Sequence, residues 1–126
     1  DIIASGHSPS LYEKKVTEFE RAEFGISNLD TAFNITNTKL IKEGNFSIED
    51  ITLLMSKNPA KILGFENKGE IKEGFDADII IIDIDKEKIV KSSEFLSRAK
   101  YSPYENMKVF GDVLATVVKG NVLYDA

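Results

Sequence analysis

The residues with the most chemical potential lie in one short run, Ser5-Gly6-His7-Ser8-Pro9-Ser10. His7 is the only histidine, and there is no cysteine. One imidazole can act as a general base or as a single metal ligand. A cluster of imidazole ligands cannot form within one copy, and thiolate sites and disulfides are excluded. Small residues followed by proline end a strand and leave its backbone and side chains open at a rim. Rims of that kind carry the sites of α/β folds. Strand alternation points His7 away from Gly6 and Ser8, so a histidine merely packed beside the strand end is the competing reading. Elsewhere the chain lacks a GxSxG turn, a Walker loop, an HExxH pair and a dinucleotide fingerprint. Gly69 and Gly74 have the wrong spacing to cradle a phosphate and read as a turn. Asp78 and Asp83 bracket a strand, where solvated or turn-bonding roles fit better than a carboxylate dyad.

The elements that must position this run divide near Lys68. Upstream the pattern is helical. Ser27 reads as an N-cap with Asp30 as the acid three residues on, and Leu29, Ala32, Phe33, Leu40 and Ile41 follow at helical spacing up to Gly44. A second helix starts at Ser47, with Glu49 and Asp50 at its positive end and an apolar stripe of Ile48, Ile51, Leu54 and Met55. Asn58-Pro59 is expected to end it, with Pro59 opening a short turn closed by Gly64. Downstream the period is that of strands. Residues 77–83 contain four consecutive isoleucines, which predict a strand covered on both faces. Residues 113–118 and 122–124 flank Lys119-Gly120-Asn121, a hairpin signal. Between these strands, residues 92–99 read as one or two helical turns. Tyr101 and Tyr104 sit in a loop expected to pack on the β-domain.

Composition limits the function classes. The chain has 126 residues, 16 Lys+Arg and 21 Asp+Glu, for a formal net charge of −5. That acid excess argues against nucleic-acid and membrane surfaces, which demand a basic face. The longest aliphatic run falls far short of the roughly 20 residues a membrane span needs. No secretory signal is visible, and the cysteine-free composition is compatible with a cytoplasmic setting. The length is too small for a whole (β/α)₈ barrel of about 250 residues. The chain begins at Asp1 with an apparent strand already under way, so the expectation is a piece of a longer polypeptide.

Several of these runs resemble a known family. Ile3-Ala4-Ser5-Gly6-His7-Ser8-Pro9-Ser10 is similar to the eighth barrel strand of dihydroorotases, usually (S/T)-D-H-A-P-H. Glu13-Lys14-Lys15, Phe24-Gly25-Ile26 and Leu29-Asp30-Thr31-Ala32 resemble that family's E-K-K, P-F-G-I and G-L-E-T-A segments in order. Asn58-Pro59-Ala60-Lys61-Ile62-Leu63-Gly64 is similar to the N-P-A-(R/K)-I-(L/F)-G element of cyclic amidohydrolases. Residues 68–83 resemble their G-x-I-x-x-G-x-D-A-D element with the apolar run behind it. Val117-Val118-Lys119-Gly120-Asn121-Val122-Leu123-Tyr124 matches their terminal hairpin. The later elements specify the amidohydrolase superfamily, and only the first forty residues favour dihydroorotase over hydantoinase or allantoinase.

The resemblance implies an enzyme that opens the cyclic amide of dihydroorotate to carbamoyl aspartate in pyrimidine synthesis. It implies a zinc centre at the mouth of a barrel, where the metal polarises the carbonyl and lowers the pKa of the attacking water. The implied roles carry over unevenly. The catalytic Asp, which binds metal and shuttles the proton, falls at Gly6 and has no side chain. The substrate-binding His falls at Ser10, which can donate a hydrogen bond but cannot be cationic. Phe24 and Gly25 retain the substrate-contacting pair, preceded by Glu23 in place of Pro. His7 falls at a supporting position, so no metal ligand is expected within this chain.

The expected fold class is therefore α/β, the C-terminal fragment of a metal-dependent hydrolase (β/α)₈ barrel. Residues 1–67 would supply the last barrel strand and closing helices, and residues 68–126 the C-terminal part of a small β-sandwich domain. The expected partners are the remainder of its own polypeptide, a second copy in a homo-oligomer and, in the parent enzyme, a small-molecule substrate. Alone, the chain is expected to be inactive and stable only with that remainder or by self-association, since its strand edges would be open. A non-catalytic homologue with a structural or partner-organising role is the alternative that Gly6, Ser10 and Glu23 raise. A hydantoinase- or allantoinase-type hydrolase is the other.

Overall fold

The computed structural model describes all of residues 1–126. After a single turn, α1 (Tyr12–Lys15), residues 29–42 coil as one helical stretch, as their spacing predicts. It opens as a 3₁₀ turn at Leu29–Thr31, becomes α2 at Ala32–Thr36 and widens into a π-helical stretch at Asn37–Lys42. Ser27 does not cap it. The Ser27 hydroxyl is fully buried without a hydrogen-bond partner, and Asp30 instead accepts from the Leu96 and Ser97 amides at 2.6 and 3.4 Å.

The second stretch begins as expected. Ser47 Oγ accepts from the Asp50 amide at 3.2 Å and Asp50 accepts from the Ser47 amide at 2.8 Å, a reciprocal capping box. The stretch does not stop at Asn58-Pro59. It runs from α3 (Ile48–Thr52) through a π-helical stretch (Leu53–Lys57) into α4 (Asn58–Ile62). Proline lacks an N–H and its ring crowds the preceding turn, and the wider π-helical turn gives that ring room. Ile51 and Ala60 are the positions it buries.

Three antiparallel strands form one sheet in the order β1 (Ile79–Ile89), β2 (Lys108–Val118), β3 (Asn121–Asp125). The β2–β3 hairpin is the predicted one, turning on Lys119 and Gly120 at φ 49° and 77°. Two consecutive positive φ values give a turn whose twist matches that of the strands. β1 runs past Asp83 because pairing resumes after a break, with Asp83 opposite Asp112 and Glu87 opposite Phe110. Ile80 and Ile81 are 50% and 53% exposed, so the isoleucine run is not covered on both faces. The helical stretch 29–42 lies over β2 on one side, and this chain lays no helix over the other.

That helix meets the sheet through buried polar side chains as well as through Phe33 and Ile35. Asn34, Asn37 and Thr38 are buried, whereas Leu29 is 62% exposed. Where β1 and β2 lose register, the Asn37 amide donates to the Ile84 carbonyl at 3.0 Å, and Asn34 donates to the Gly111 carbonyl. The Phe110 amide donates to Thr38 Oγ1 at 2.8 Å, and that hydroxyl donates to the Asn34 carbonyl at 2.7 Å. Backbone groups that a broken ladder leaves bare are thus paired. Beside them, Val90, Phe95 and Val109 form a small core with Ile35, Tyr104 and Met107 packed on it. Tyr104 packs as expected, and residues 92–99 supply one 3₁₀ turn, Ser92–Glu94. No helix is long and apolar enough to cross a membrane.

The extended start at residues 3–7 is not a ladder-paired strand. It makes one parallel bridge, His7 to Ile26, with the Ser8 amide donating to the Ile26 carbonyl at 3.0 Å. A strand needs a partner strand along its length, whereas here the short stretch around Ile26 supplies one bridge and the Ile3 amide donates to the Leu54 carbonyl of the second helical stretch at 2.9 Å.

Candidate functional site

Two chain segments meet at this bridge, residues 5–10 and 24–29. Gly25 sets how closely they approach. Its φ is +98°, and a Cβ there would lie 2.3 Å from the Ser8 carbonyl oxygen, so only glycine fits. Lys15 donates to the carbonyls of both Glu23 and Gly25, tying the second segment to α1. Glu23, whose charge would oppose an anionic substrate, is engaged by Lys14 at 2.5 Å. On the other side, Asn28 donates its side-chain amide to the Ser5 carbonyl.

His7 closes the joint. Its Nδ1 accepts from the Asn28 amide at 3.0 Å and the Leu29 amide at 3.1 Å. These are amides at the opening of the helical stretch, where no intrahelical acceptor precedes them. A side chain about twenty residues away therefore does the work expected of Ser27.

Gly6 has a φ of +60°, and nothing lies within 4 Å of where a Cβ would sit. Ser10 is drawn to Tyr101, whose hydroxyl oxygen accepts from the Ser10 amide at 2.7 Å and lies 3.2 Å from Ser10 Oγ. Lys15 also lies over the Tyr101 ring, 5.4 Å from its centre. Ser10, Tyr101, Lys15 and Gly25 thus form one path of contacts, while the Phe24 side chain is 99% exposed. The sequence pattern predicts that Tyr101 packs on the β-domain. It reaches the rim instead, 91 residues along the chain, a contact that local patterning cannot reveal.

A cleft of about 640 Å³ opens beside His7, bordered by Asp30, Asn34, Lys88, Asp112 and Tyr124. Asp112 sits at its floor, 8% exposed. Burial pushes its carboxyl up, but hydrogen bonds from Lys86 at 2.8 Å and Lys88 at 3.0 Å outweigh that and hold it below the usual carboxylate range. It is a structural ion pair, with both carboxylate oxygens engaged.

The residues present do not fit a metal ion. No three His, Cys, Asp or Glu side chains stand together, Gly6 offers no side-chain ligand, and His7 Nδ1 is taken by two amides. The joint can offer hydrogen bonds to a ligand through Ser10 and through backbone near Gly25. It holds no base or nucleophile paired for activating water.

Comparison with known proteins covers almost the whole chain. The model of the amidohydrolase family matches residues 3–123. A dihydroorotase of Clostridium botulinum (strain Eklund 17B / Type B) is 42% identical over 124 residues, covering 98% of this chain and 30% of that protein. A dihydroorotase of Ligilactobacillus salivarius is 37% identical over 124 residues, 29% of its length. The chain thus spans about 30% of the length of the curated relatives it matches. Among solved structures, the L-hydantoinase of Arthrobacter aurescens superposes with a TM-score of 0.79 at 34% identity, over 84% of this chain and 24% of that one. A Thermus D-hydantoinase shares the fold, with a TM-score of 0.85 at 24% identity over 94% of this chain and 27% of its own.

Proposed function

Because the chain belongs to the amidohydrolase family, we propose that it is the rim and β-domain portion of a dihydroorotase-like hydrolase of cyclic amides. Residues 1–67 would supply the last barrel strand with its closing helices, and residues 68–126 the C-terminal part of the β-domain. What carries the reading is the joint at Gly25 and Ser8. The two segments that resemble the family's substrate loops are held against each other at a contact that no other residue than glycine permits.

In this reading the substrate is dihydroorotate, opened reversibly to carbamoyl aspartate. Backbone groups at Phe24 and Gly25, together with the Ser10 hydroxyl, hold it. Gly6 stands where a carboxylate would take the proton and supplies none. The family's metal, zinc by resemblance, would have its ligands outside these 126 residues. The chain alone therefore hydrolyses nothing. Only 14 of its residues are buried, so the sheet face that carries no helix requires cover from the rest of the polypeptide or from a second copy.

Gly6 also motivates a second reading, a non-catalytic homologue that organises partners. One experiment separates the readings: the intact protein and its Gly6→Asp variant, assayed with added zinc on dihydroorotate and on a hydantoin. The hydrolase reading expects slow dihydroorotate turnover that Gly6→Asp raises by about 10²–10⁴, the usual worth of a general base. No turnover by either form supports the non-catalytic homologue, and preference for the hydantoin supports the other substrate class. Fast turnover by the unmodified protein would mean that Gly6 is no defect.

A further inference from the structure

His7 is poised to be mistaken for a catalytic group, since it is the only histidine and borders the cleft beside the rim. Its hydrogen bonds say otherwise. A neutral imidazole has one acceptor nitrogen and one N–H, and the bond made by one nitrogen fixes the other. Nδ1 accepts from the Asn28 and Leu29 amides at 3.0 and 3.1 Å, so the ring proton sits on Nε2. A ring in that state has no free lone pair with which to accept a proton or bind a metal. It has one N–H left over.

We propose that His7 is a positioning residue, a cap supplied from a distant segment that fixes residues 24–29 against residues 5–10 through Nδ1. Three observations converge on it. The expected cap, Ser27, is fully buried with its hydroxyl unpaired and caps nothing. Asn28, which occupies the cap position, makes no side-chain cap bond and instead donates to the Ser5 carbonyl. The backbone of His7 itself bridges to Ile26, so ring and main chain hold the same junction from one residue. Gly25 lies one residue before that bridge. Its approach to Ser8 therefore depends on the segment staying docked.

The test exploits side-chain geometry. Asn places an acceptor oxygen where His7 has Nδ1, Gln places its polar end near Nε2, and Leu offers neither. In the intact protein, amide hydrogen exchange of Asn28 and Leu29 is compared for His7→Asn, His7→Gln and His7→Leu, and ring ¹⁵N spectra are recorded on the unmodified protein. The expected result is the Nε2–H form of His7, near-native protection in His7→Asn, and exchange about fivefold or more faster in His7→Gln and His7→Leu, the factor that loss of one cap implies. A ring protonated on Nδ1, or protection restored by Gln and not by Asn, would overturn the proposal. So would exchange that is unchanged in every variant.

A second arm rests on the hydrolase reading. With dihydroorotate, His7→Gln should raise KM with kcat little changed, and His7→Asn should restore KM. A fall in kcat alone would make His7 a participant in the chemistry and overturn the proposal. If the intact protein turns over no cyclic amide, the hydrolase reading fails, while the exchange and ¹⁵N results still decide the role of His7.

Discussion

The Asn37 side-chain amide donates to the Ile84 carbonyl at 3.0 Å, across the gap where β1 and β2 fall out of register. Asn37 is fully buried, on a helical face whose other buried positions are Thr31, Asn34 and Thr38. The helix thus substitutes for the missing rungs of a ladder. Replacing Asn37 by Leu keeps the branched outline and removes the donor, leaving that carbonyl unpaired, and it also removes Asn37 Oδ1, a buried acceptor with no partner. The expected loss is about 1–3 kcal/mol, read as a lower midpoint in urea melts of the intact protein. Lys39→Ala, on the exposed side of the same stretch, should change the midpoint little.

The two glycines of the rim should differ sharply. Gly25→Ala drives a Cβ into the Ser8 carbonyl, at backbone that cannot give way without undocking the segment. Gly6→Ala adds a Cβ into open space and carries only the left-handed backbone cost, about 1–2 kcal/mol. Thermal melts of the two variants should rank Gly25→Ala well below Gly6→Ala. Equal melting temperatures would mean that the close approach at Ser8 contributes nothing.

Asp112 gives the fold a predictable acid limb. With its folded-state pKa below the unfolded value of about 3.9, its contribution is present above that value and lost as pH falls through the lower, folded one. Lys86 is shifted the opposite way, upward, first through its hydrogen bond to Asp112. Its share is present below about pH 10.4 and lost as pH rises through the higher, folded value. The pair should therefore stabilise evenly between about pH 4 and pH 10. Asp112→Asn should cost about 1–2 kcal/mol at pH 7, allowing for half-exposed lysines, and less at pH 3, where protonation of the unfolded chain's carboxyl has begun to erode the contribution. Urea midpoints of both proteins at the two pH values check this.

How far the sequence could be read depended on the range of each interaction. The Ser47 capping box and the Lys119-Gly120 turn involve neighbours within four residues, and both formed as read. Ser27 had the same local pattern and lost to His7, because a partner that arrives through the tertiary fold can outcompete a local one. The helix 29–42 is legible from Leu29, Ala32, Phe33, Leu40 and Ile41, but the positions it buries most fully are Thr31, Asn34, Asn37 and Thr38, and only the bulge in β1 explains why polar groups belong there. The isoleucine run read as buried because its composition is that of a strand covered on both faces, while this chain brings a helix to only one. At the rim, Gly6, Ser10 and Gly25 were singled out by resemblance, but nothing local linked Ser10 to Tyr101 or showed what Lys15 holds.

Tyr101 offers the most direct way to loosen the rim without touching either glycine. Its hydroxyl accepts from the Ser10 amide at 2.7 Å, while its ring lies under Lys15. Phe keeps the ring and removes only the hydroxyl, so Tyr101→Phe should leave Lys15 bound to the Glu23 and Gly25 carbonyls. The Ser10 amide then loses its partner and should exchange with solvent about fivefold faster, the effect of roughly 1 kcal/mol of lost hydrogen bonding. Tyr101→Leu removes the ring as well, and the added exchange should spread to residues 24–26. If Phe and Leu disturb the same amides equally, the ring contact with Lys15 contributes nothing, and the path from Ser10 to Gly25 is broken at Tyr101.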